Sequence, residues 1–281
     1  MGQDVPVDQS LESRSDGGGE QRQGQERMIE YNFAGTVSVV TGAASGIGLA
    51  TADAIAAAGG VVFLNDLPGS AALDAAVARL RAAGRKVYAA PADQSQPDQA
   101  QAAVDRIIAA NGRLDFLVNN AATPGTAQPI PPDDFDRMDE AFWQRLLSVN
   151  QIGPYRWVRA AAPHLRRAGG AIVNVASTAG MGRGGSSSVY ASTKAALIVL
   201  TKEWAVALGP EVRVNAIAPN VVVGSGWDCT FDPEALADTI ARTPLRRGGT
   251  PADYAQSILW FLAGAPYVTG QTLVVDGGGV R

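Results

Sequence analysis

Tyr190 and Lys194 are the first residues whose types and spacing could do chemistry. They lie in VYASTKAALIVL, residues 189–200, a run with a helical pattern in which positions four apart share a face. A phenol with a pKa of about 10 exchanges protons poorly at neutral pH, and a nearby ammonium favours the phenolate. The pair predicts a general acid/base, although such a short pattern also arises by chance and the rest of the sequence must decide.

A glycine-rich turn indicates a nucleotide site. In VVTGAASGIGLA, Gly42, Gly46 and Gly48 follow an apolar strand and begin a helix. Glycines let the backbone approach a pyrophosphate, whose charge then lies at the helix N-terminus. Asp66 ends the next predicted strand, 18 residues past Gly48, where an acid accepts hydrogen bonds from a ribose. A dinucleotide site is predicted; a plain strand-to-helix turn with an Asp cap is the alternative.

The composition excludes several function classes. A net charge of −4 argues against nucleic-acid binding, which needs a basic face. The single cysteine, Cys229, excludes an internal disulfide framework and disfavours a cysteine-rich metal site. His164 is the only histidine, so histidine-dependent triads and zinc sites are not expected. We predict no metal.

The chain shows no membrane or secretory segment. No apolar run approaches the ~18 residues of a membrane span, and the N-terminus lacks a basic start followed by a hydrophobic stretch. A cytoplasmic protein without membrane partners is expected. Residues 1–30 are polar and Gly/Gln-rich, which predicts a disordered N-terminal extension. A tail that docks on a neighbouring subunit is the alternative for this segment.

The remaining chain, residues 31–281, alternates between apolar runs and Ala-rich helical stretches. Because the runs are apolar throughout, they indicate a parallel sheet covered on both faces. We predict one doubly wound α/β domain of the Rossmann type with a seven-stranded parallel sheet. The predicted strands are 36–40, 61–65, 86–90, 115–119, 171–176, 213–218 and 272–276. The predicted helices lie near 47–58, 71–83, 98–110, 140–166, 189–208 and 251–263.

Two stretches interrupt this alternation. Residues 121–140 are Pro-rich and follow the fourth strand, and residues 220–249 follow the sixth. Both begin at carboxyl ends of strands, where open α/β sheets bind ligands. Long irregular segments in such domains are usually functional. We predict a substrate lid over about 220–249.

These motifs together resemble the short-chain dehydrogenase/reductase family over about residues 32–281. The glycine spacing is the family's Gly-x-x-x-Gly-x-Gly. Further landmarks follow in the family's order: PADQ with Asp93, NNAA at 119–122, SVN with Asn150, NVASTAG with Ser177, YASTK, VRVNAIAP with Pro219 and VTGQTLVVDGG. In the family, the residue at the position of Asp93 contacts adenine. The resemblance implies an NAD(H)-dependent oxidoreductase that interconverts a secondary alcohol and a ketone by hydride transfer.

The resemblance also assigns roles to residues. It implies that Tyr190 is the general acid/base and that Lys194 favours its phenolate and holds the nicotinamide ribose. Ser177 would bond the substrate oxygen, and Asn150 would position a water that relays protons to Lys194. The implied cofactor-binding residues are Gly42, Ser45, Gly46, Ile47, Gly48, Asp66, Leu67, Asp93, Gln94, Asn120, Ala121, Tyr190, Lys194, Pro219 and Val222.

The predicted cofactor is NAD. Asp66 would accept hydrogen bonds from a free 2′-OH and would repel a 2′-phosphate. NADP-preferring relatives place a basic residue before the second glycine or after the second strand. Ser45 and Leu67 occupy those places here.

The sequence departs from the family's usual pattern in three places. Ala122 replaces a Gly, Asn220 replaces the Gly that commonly follows the Pro, and Gly224 stands where a Thr often bonds the nicotinamide carboxamide. Ser225 is adjacent and could substitute for that Thr. These departures concern nicotinamide anchoring rather than hydride transfer.

Other functions stay open. A Ser–Lys hydrolase is disfavoured because it would leave the nucleotide site unexplained. A catalytically silent dinucleotide-binding regulator is disfavoured by the intact catalytic set. A 3-oxoacyl-carrier-protein-type reductase would need a basic docking patch, for which the candidates are Arg183, Arg242, Arg246 and Arg247.

The substrate and the assembly are less specified. An apolar pocket for a cyclic or aromatic alcohol is a hypothesis that rests on Met181, Val223, Trp227 and Phe231. The helices near 140–166 and 189–208 carry apolar residues around more of their circumference than one sheet-facing stripe requires. A homodimer or homotetramer is therefore expected, as the family resemblance also implies.

Overall fold

The fold is built on one parallel sheet. The computed structural model describes residues 30–225 and 232–279. Seven strands lie in the order β3-β2-β1-β4-β5-β6-β7, all parallel. Their bounds are β1 Val37–Thr41, β2 Val61–Asn65, β3 Val87–Ala89, β4 Phe116–Asn119, β5 Ala171–Val175, β6 Arg213–Pro219 and β7 Thr272–Val275. The predicted doubly wound sheet is confirmed.

Helices cover both faces of the sheet. Those described are α1 Gly46–Ala57, α2 Ala71–Ala82, α3 Gln99–Asn111, α4 Glu140–Leu147, α5 Gly153–Ala168, α6 Ser188–Leu208, α7 Pro233–Arg242 and α8 Pro251–Leu259. One core lies between the sheet and α1, α2 and α8; the other lies between the sheet and α3, α5 and α6. Neighbouring residues of β1, Val39 and Val40, point into opposite cores, which explains why the strands are apolar throughout.

The predicted helix over 140–166 is interrupted. A π-helical turn over Ser148–Ile152 separates α4 from α5. Pro154 provides the physical reason, because a proline lacks the N–H of a regular helix and its ring clashes with the carbonyl four residues earlier. That carbonyl belongs to Asn150, so the sequence places the irregularity at a predicted catalytic residue.

The segment 220–249, expected to be irregular, contains α7. Asp232 caps this helix, with its Oδ2 accepting from the N–H of Ala235 at 3.0 Å, and Pro233 occupies the first turn. Asp-Pro-Glu is a helix-start signal that the sequence analysis did not use. The assignment of residues 220–249 as a substrate lid stays a proposal. The expected disordered extension covers residues 1–30, of which residues 1–29 lie outside the described residues.

A buried polar ladder crosses the sheet behind its carboxyl edge. Asn119 of β4 donates from Nδ2 to Oδ1 of Asn174, its register partner on β5, at 2.9 Å. Asn174 donates in turn to Oγ1 of Thr201 on α6 at 2.9 Å. All three side chains are buried, so each amide depends on its protein partner. The ladder fixes β4, β5 and α6 relative to one another.

No helix among the described residues is long and apolar enough to cross a bilayer.

Candidate active site

A cleft of about 680 Å³ runs along the carboxyl edge of the sheet. It lies where the strand order reverses between β1 and β4, the place where open α/β sheets bind ligands. The predicted site residues that line it are Gly42, Ser45, Gly46, Ile47, Asp66, Leu67, Asp93, Gln94, Asn120, Ala121, Ser177, Tyr190, Lys194, Pro219 and Val222. Gly48 and Asn150 do not line it. The cleft therefore joins the predicted nucleotide and catalytic groups.

The glycine turn at one end of the cleft has no room for side chains. Gly42 has φ +61°, and a Cβ there would lie 2.8 Å from the Cα of Ala121. A Cβ on Gly48 would lie within van der Waals overlap of the Gly42 carbonyl, so Gly48 lets α1 pack against the turn. The first turn of α1 thus points its free N–H groups at the cleft, which suits a pyrophosphate.

Asp66 lies beside this turn. Its Oδ1 accepts from the N–H of Leu67 at 2.8 Å, and its Oδ2 accepts from the N–H of Ala44 at 3.3 Å. Leu67 is 57% exposed next to it. Among the ion pairs of the described residues, none involves Asp66. The carboxylate is held in place without a neutralising cation.

The loops after β1 and β4 are tied together under the cleft. Asn120 donates from Nδ2 to the carbonyls of Thr41 and Gly42 at 2.8 and 3.0 Å. Thr41 Oγ1 accepts from the N–H groups of Asn120 and Ala121, both at 2.9 Å. The side chains of Asn120 and Thr41 therefore join the two loops into one hydrogen-bonded unit at the floor of the cleft.

The catalytic candidates converge at the other end. Ser187 caps α6 by accepting from the N–H of Tyr190 at 3.0 Å, which places Tyr190 in the first turn of the helix. Tyr190 hydrogen-bonds with the side chain of Ser177, which follows β5. Lys194 lies one turn along, with Nζ 5.8 Å from the centroid of the Tyr190 ring. A substrate oxygen at the tyrosine would meet two hydroxyl groups.

Burial has the largest effect on the pKa values of Tyr190 and Lys194. For Tyr190 the pKa is raised, whereas the sequence led us to expect that a nearby ammonium would lower it. Burial raises the pKa of Tyr190 to about 12, against a lowering by its hydrogen bond with Ser177. Burial also lowers the pKa of Lys194 to about 8. The ammonium donates to the carbonyl of Val175 at 2.7 Å, so its nearest partner is backbone rather than phenol. Burial therefore favours the protonated phenol of Tyr190 at neutral pH.

Asn150 lies in the π-helical turn, fully buried. Its Oδ1 accepts from the N–H of Thr123 at 2.8 Å, and its Nδ2 donates to the carbonyl of Thr123 at 2.9 Å and to Oγ1 of Thr193 at 3.3 Å. The side chain thus clasps the loop after β4 and attaches it to α6. A role in positioning a water stays a prediction.

Sequence analysis missed several residues that build the site. Thr41, Asn65 and Thr123 shape its loops; Asn65 donates to the carbonyls of Ala90 and Ala92 at 2.9 and 3.0 Å. A polar residue that ends an otherwise apolar strand was the available signal for Thr41 and Asn65.

The substrate end differs from the hypothesis. Met181 and Val223 do not line the cleft, and Trp227 and Phe231 lie outside the described residues. Val223 packs instead against Gly248, where a Cβ would overlap its side chain. The wall is formed by other small or apolar residues and one cation: Pro124, Pro129, Ala179, Arg183, Ala235, Leu236 and Thr239.

The described residues contain no group of three His, Cys, Asp or Glu side chains placed to hold a metal ion.

The high pKa of Tyr190 gives a direct prediction. A difference titration at the phenolate absorbance band, wild type minus Tyr190→Phe, should show no signal at pH 9 in the unliganded protein. The signal should appear only at about pH 11 and above, because burial disfavours the phenolate more than the hydrogen bond with Ser177 favours it. A phenolate at this position that titrates below pH 9 would contradict the burial-dominated assignment.

Comparison with known proteins identifies the family. Residues 42–279 match the sequence model described as enoyl-(acyl carrier protein) reductase. The chain is 36% identical to the 3-oxoacyl-(acyl-carrier-protein) reductase of Thermotoga maritima, covering 87% of this chain and 97% of that protein. It is 38% identical to the cis-4-hydroxycyclohexanecarboxylate dehydrogenase of Sinomonas cyclohexanicum, covering 88% and 97%.

A solved structure agrees with these matches. A 7α-hydroxysteroid dehydrogenase complexed with NADH and 7-oxo glycochenodeoxycholic acid superposes with a TM-score of 0.81 at 31% identity, covering 89% of this chain and 96% of that one. Together with the parallel sheet and the cleft at its switch point, these likenesses show that the chain belongs to the short-chain dehydrogenase/reductase family of oxidoreductases.

Proposed function

We propose that the protein is an NAD(H)-dependent oxidoreductase that interconverts a secondary alcohol and a ketone, with Tyr190 as general acid/base. The observation that carries the proposal is the meeting of Ser177, Tyr190 and Lys194 in one cleft with the glycine turn and Asp66. A nucleotide-binding protein without catalysis would not require a buried ammonium beside a buried phenol, since burying a charge is unfavourable.

The cleft fits a nicotinamide dinucleotide. The glycine turn leaves the space that side chains would fill, and Asp66 would receive the adenosine ribose. Ser45, Gly46 and Ile47 would hold the pyrophosphate at the start of α1. Ala121, Pro219 and Val222 line the cleft and would hold the nicotinamide, and Ser225 would take the anchoring role that Gly224 cannot supply. The bound cofactor gives hydride to a ketone or takes it from an alcohol.

The protein's own groups handle the proton. In reduction, the Tyr190 hydroxyl gives its proton to the carbonyl oxygen as negative charge develops there, and the Ser177 hydroxyl donates a hydrogen bond to the same oxygen. The Lys194 ammonium lowers the free energy of the resulting phenolate. In oxidation the phenolate takes the proton back. The high pKa of Tyr190 in the unliganded protein keeps the donor form available at neutral pH.

Replacement of the proton carrier tests this mechanism. Tyr190→Phe should bind NADH, as measured by fluorescence titration, but lose ~10²–10⁴-fold in kcat on a panel of cyclic and acyclic secondary alcohols and ketones. Tyr267→Phe is the matched control, because Tyr267 is fully exposed. Near-wild-type turnover by Tyr190→Phe would refute the mechanism, and a wild type that turns over nothing on the panel would favour the silent regulator.

Cofactor choice follows from Asp66. We infer a preference for NAD over NADP of about tenfold or more in kcat/KM, which needs only about 1.4 kcal/mol. Asp66→Ala should narrow the ratio by weakening NAD and relieving repulsion of the 2′-phosphate, and adding Leu67→Arg should move it further towards NADP. Asp74→Ala, an exposed acid on α2, is the control and should leave the ratio unchanged. Steady-state kinetics that show an NADP-preferring wild type would overturn the assignment.

The substrate end favours a small-molecule alcohol or ketone with an apolar body. Its wall is largely apolar, and the relatives named above act on a hydroxycyclohexanecarboxylate and on a hydroxysteroid. Arg183 at the mouth would suit an acidic group on such a substrate.

An acyl-carrier-bound substrate is the second candidate, favoured by the Thermotoga maritima relative. The positive charge that would attract an acidic carrier is reduced on this patch, because two of its arginines form ion pairs. Arg242 pairs with Asp238 and Arg247 pairs with Asp253, both at 2.7 Å. Turnover of a free cyclic ketone, compared with a carrier-linked 3-oxoacyl chain, separates the two.

Self-association is part of the proposal. Apolar side chains remain exposed on α4, the π-helical turn, α5 and α6: Trp143, Ile152, Tyr155, Val199 and Val206. We expect this surface to be covered by a second copy, giving a homodimer or homotetramer. Light scattering at micromolar concentration should give a multiple of the 29.0 kDa chain mass, and Val206→Glu, with Val206 83% exposed, should lower it. A wild-type monomer would contradict the expectation.

A further inference from the structure

The side chain of Gln94 connects two parts of the cleft that the proposed mechanism treats separately. Gln94 follows Asp93 in the loop after β3 and is 5% exposed. Its Nε2 donates to the carbonyl of Ala121 at 3.0 Å and to the carbonyl of Val149 at 2.8 Å. We call the loop after β3, residues 90–98, the adenine-side loop, because the family resemblance places adenine at Asp93. One amide group therefore joins the adenine-side loop, the loop after β4 and the π-helical turn that carries Asn150.

The Val149 carbonyl receives this donor in place of a helical N–H. In the π-helical turn the N–H of Gly153 bonds to the carbonyl of Ser148, so it no longer serves Val149 as in an α-helix. The next residue, Pro154, has no N–H to give. Val149 is half-buried, and the Gln94 amide supplies the hydrogen bond that the helix backbone does not give to its carbonyl. The interruption of the helix and the glutamine are thus parts of one arrangement.

Packing fixes the position of the Gln94 amide. A Cβ on Gly153 would lie 2.8 Å from Cδ of Gln94 and 2.9 Å from its Nε2. The glycine has helical φ and ψ of −55° and −57°, so its backbone does not require glycine. The space that Gly153 leaves is the space that the Gln94 side chain occupies.

The connections close into a ring. Asn150 is next to Val149, and its side chain bonds to both the N–H and the carbonyl of Thr123. Thr123 follows Ala121 by two residues, which completes the ring. On the outer side, Arg156 donates to the carbonyl of Gln94 at 2.8 Å. A displacement of the adenine-side loop must therefore move the π-helical turn or break one of these bonds.

The two hydrogen bonds use only the Nε2 group of the Gln94 amide. Oε1 of Gln94 is buried and has no hydrogen-bond partner among the described residues. Turning the amide over would place Oε1 against two carbonyl oxygens, so the orientation is determined. An apolar side chain would avoid the unpaired oxygen but could not join the two carbonyls.

We propose that Gln94 is a positioning residue that couples occupation of the adenine side of the cleft to the placement of Asn150 and the loop over residues 121–123. The proposal rests on the proposed function for the identity of the nucleotide. It gives Gln94 a role through its side chain, separate from any contact with the cofactor.

Hydrogen exchange with NADH as the probe tests the coupling without turnover. In the wild type, NADH should slow exchange at 93–95 and at 148–153. In Gln94→Met, which keeps the length of the side chain but has no donor, the slowing at 93–95 should persist and that at 148–153 should fall about three- to tenfold. With any alcohol that the wild type oxidises, kcat should fall about tenfold and its pH profile should shift, while the Kd of NADH changes less than about threefold.

Two further variants separate coupling from simple loosening. Gln99 accepts from the N–H of Asp93 at 2.7 Å and supports the same loop without touching the π-helical turn. Gln99→Met should therefore retain the NADH effect at 148–153. Gly153→Ala should reproduce Gln94→Met by displacing the amide, and it should add little to Gln94→Ala, which vacates the space.

The outcomes divide clearly. Equal NADH effects at 148–153 in wild type and Gln94→Met would overturn the coupling, as would equal losses in Gln94→Met and Gln99→Met. A Gly153→Ala effect that is undiminished in the Gln94→Ala background would overturn the packing argument. A wild type that binds NADH but oxidises no alcohol would count against the proposed function alone, because the exchange experiment does not need turnover.

Discussion

The parallel direction of the strands is the constraint on which the rest of this structure depends. All seven strands end at the same edge, so the residues that follow them are brought together whatever their separation in sequence. Thr41 and Asn65 are register partners at the ends of β1 and β2, and Asn119 and Asn174 are partners on β4 and β5. The cleft exists because the connections leave β1 and β4 in opposite directions, which separates the helices at that point.

The parts of the molecule that repeat a general pattern could be predicted from sequence. Buried strands, Ala-rich helices and the glycine turn each have a local signal, and the family motifs placed Tyr190, Lys194 and Ser177 in one site. The π-helical turn could not be predicted in the same way, because Pro154 indicates only that a helix is disturbed. In the structure, Gln94, 55 positions before Val149, supplies a donor to the Val149 carbonyl in this turn. The protonation of Tyr190 likewise depends on burial that three-dimensional packing creates.

The two ends of the cleft are held by different physical means. At the glycine-turn end, backbone groups and glycines define the shape, and hydrogen bonds from the backbone hold the Asp66 carboxylate. At the catalytic end, the position of Tyr190 is fixed by the cap of α6, and the ammonium of Lys194 is held at the carbonyl of Val175. The substrate wall is formed by loops and by α7, and neither the glycine turn nor the hydrogen bonds of Tyr190 and Lys194 hold it in place. Differences between relatives that act on different substrates are expected to concentrate in that wall.

The buried ladder from Asn119 through Asn174 to Thr201 limits how the strands can be aligned. A slip of β5 by one residue would bury two amides without partners, so alternative alignments of the sheet are strongly disfavoured during folding. The spacing between Ser177 and Tyr190 is thereby inherited from the scaffold rather than from the loops around it. Insertions and replacements in those loops can then be sampled by mutation without disturbing the alignment of the reacting groups. A polar ladder inside the core thus makes the alignment of β4, β5 and α6 independent of the loops that form the outer wall of the cleft.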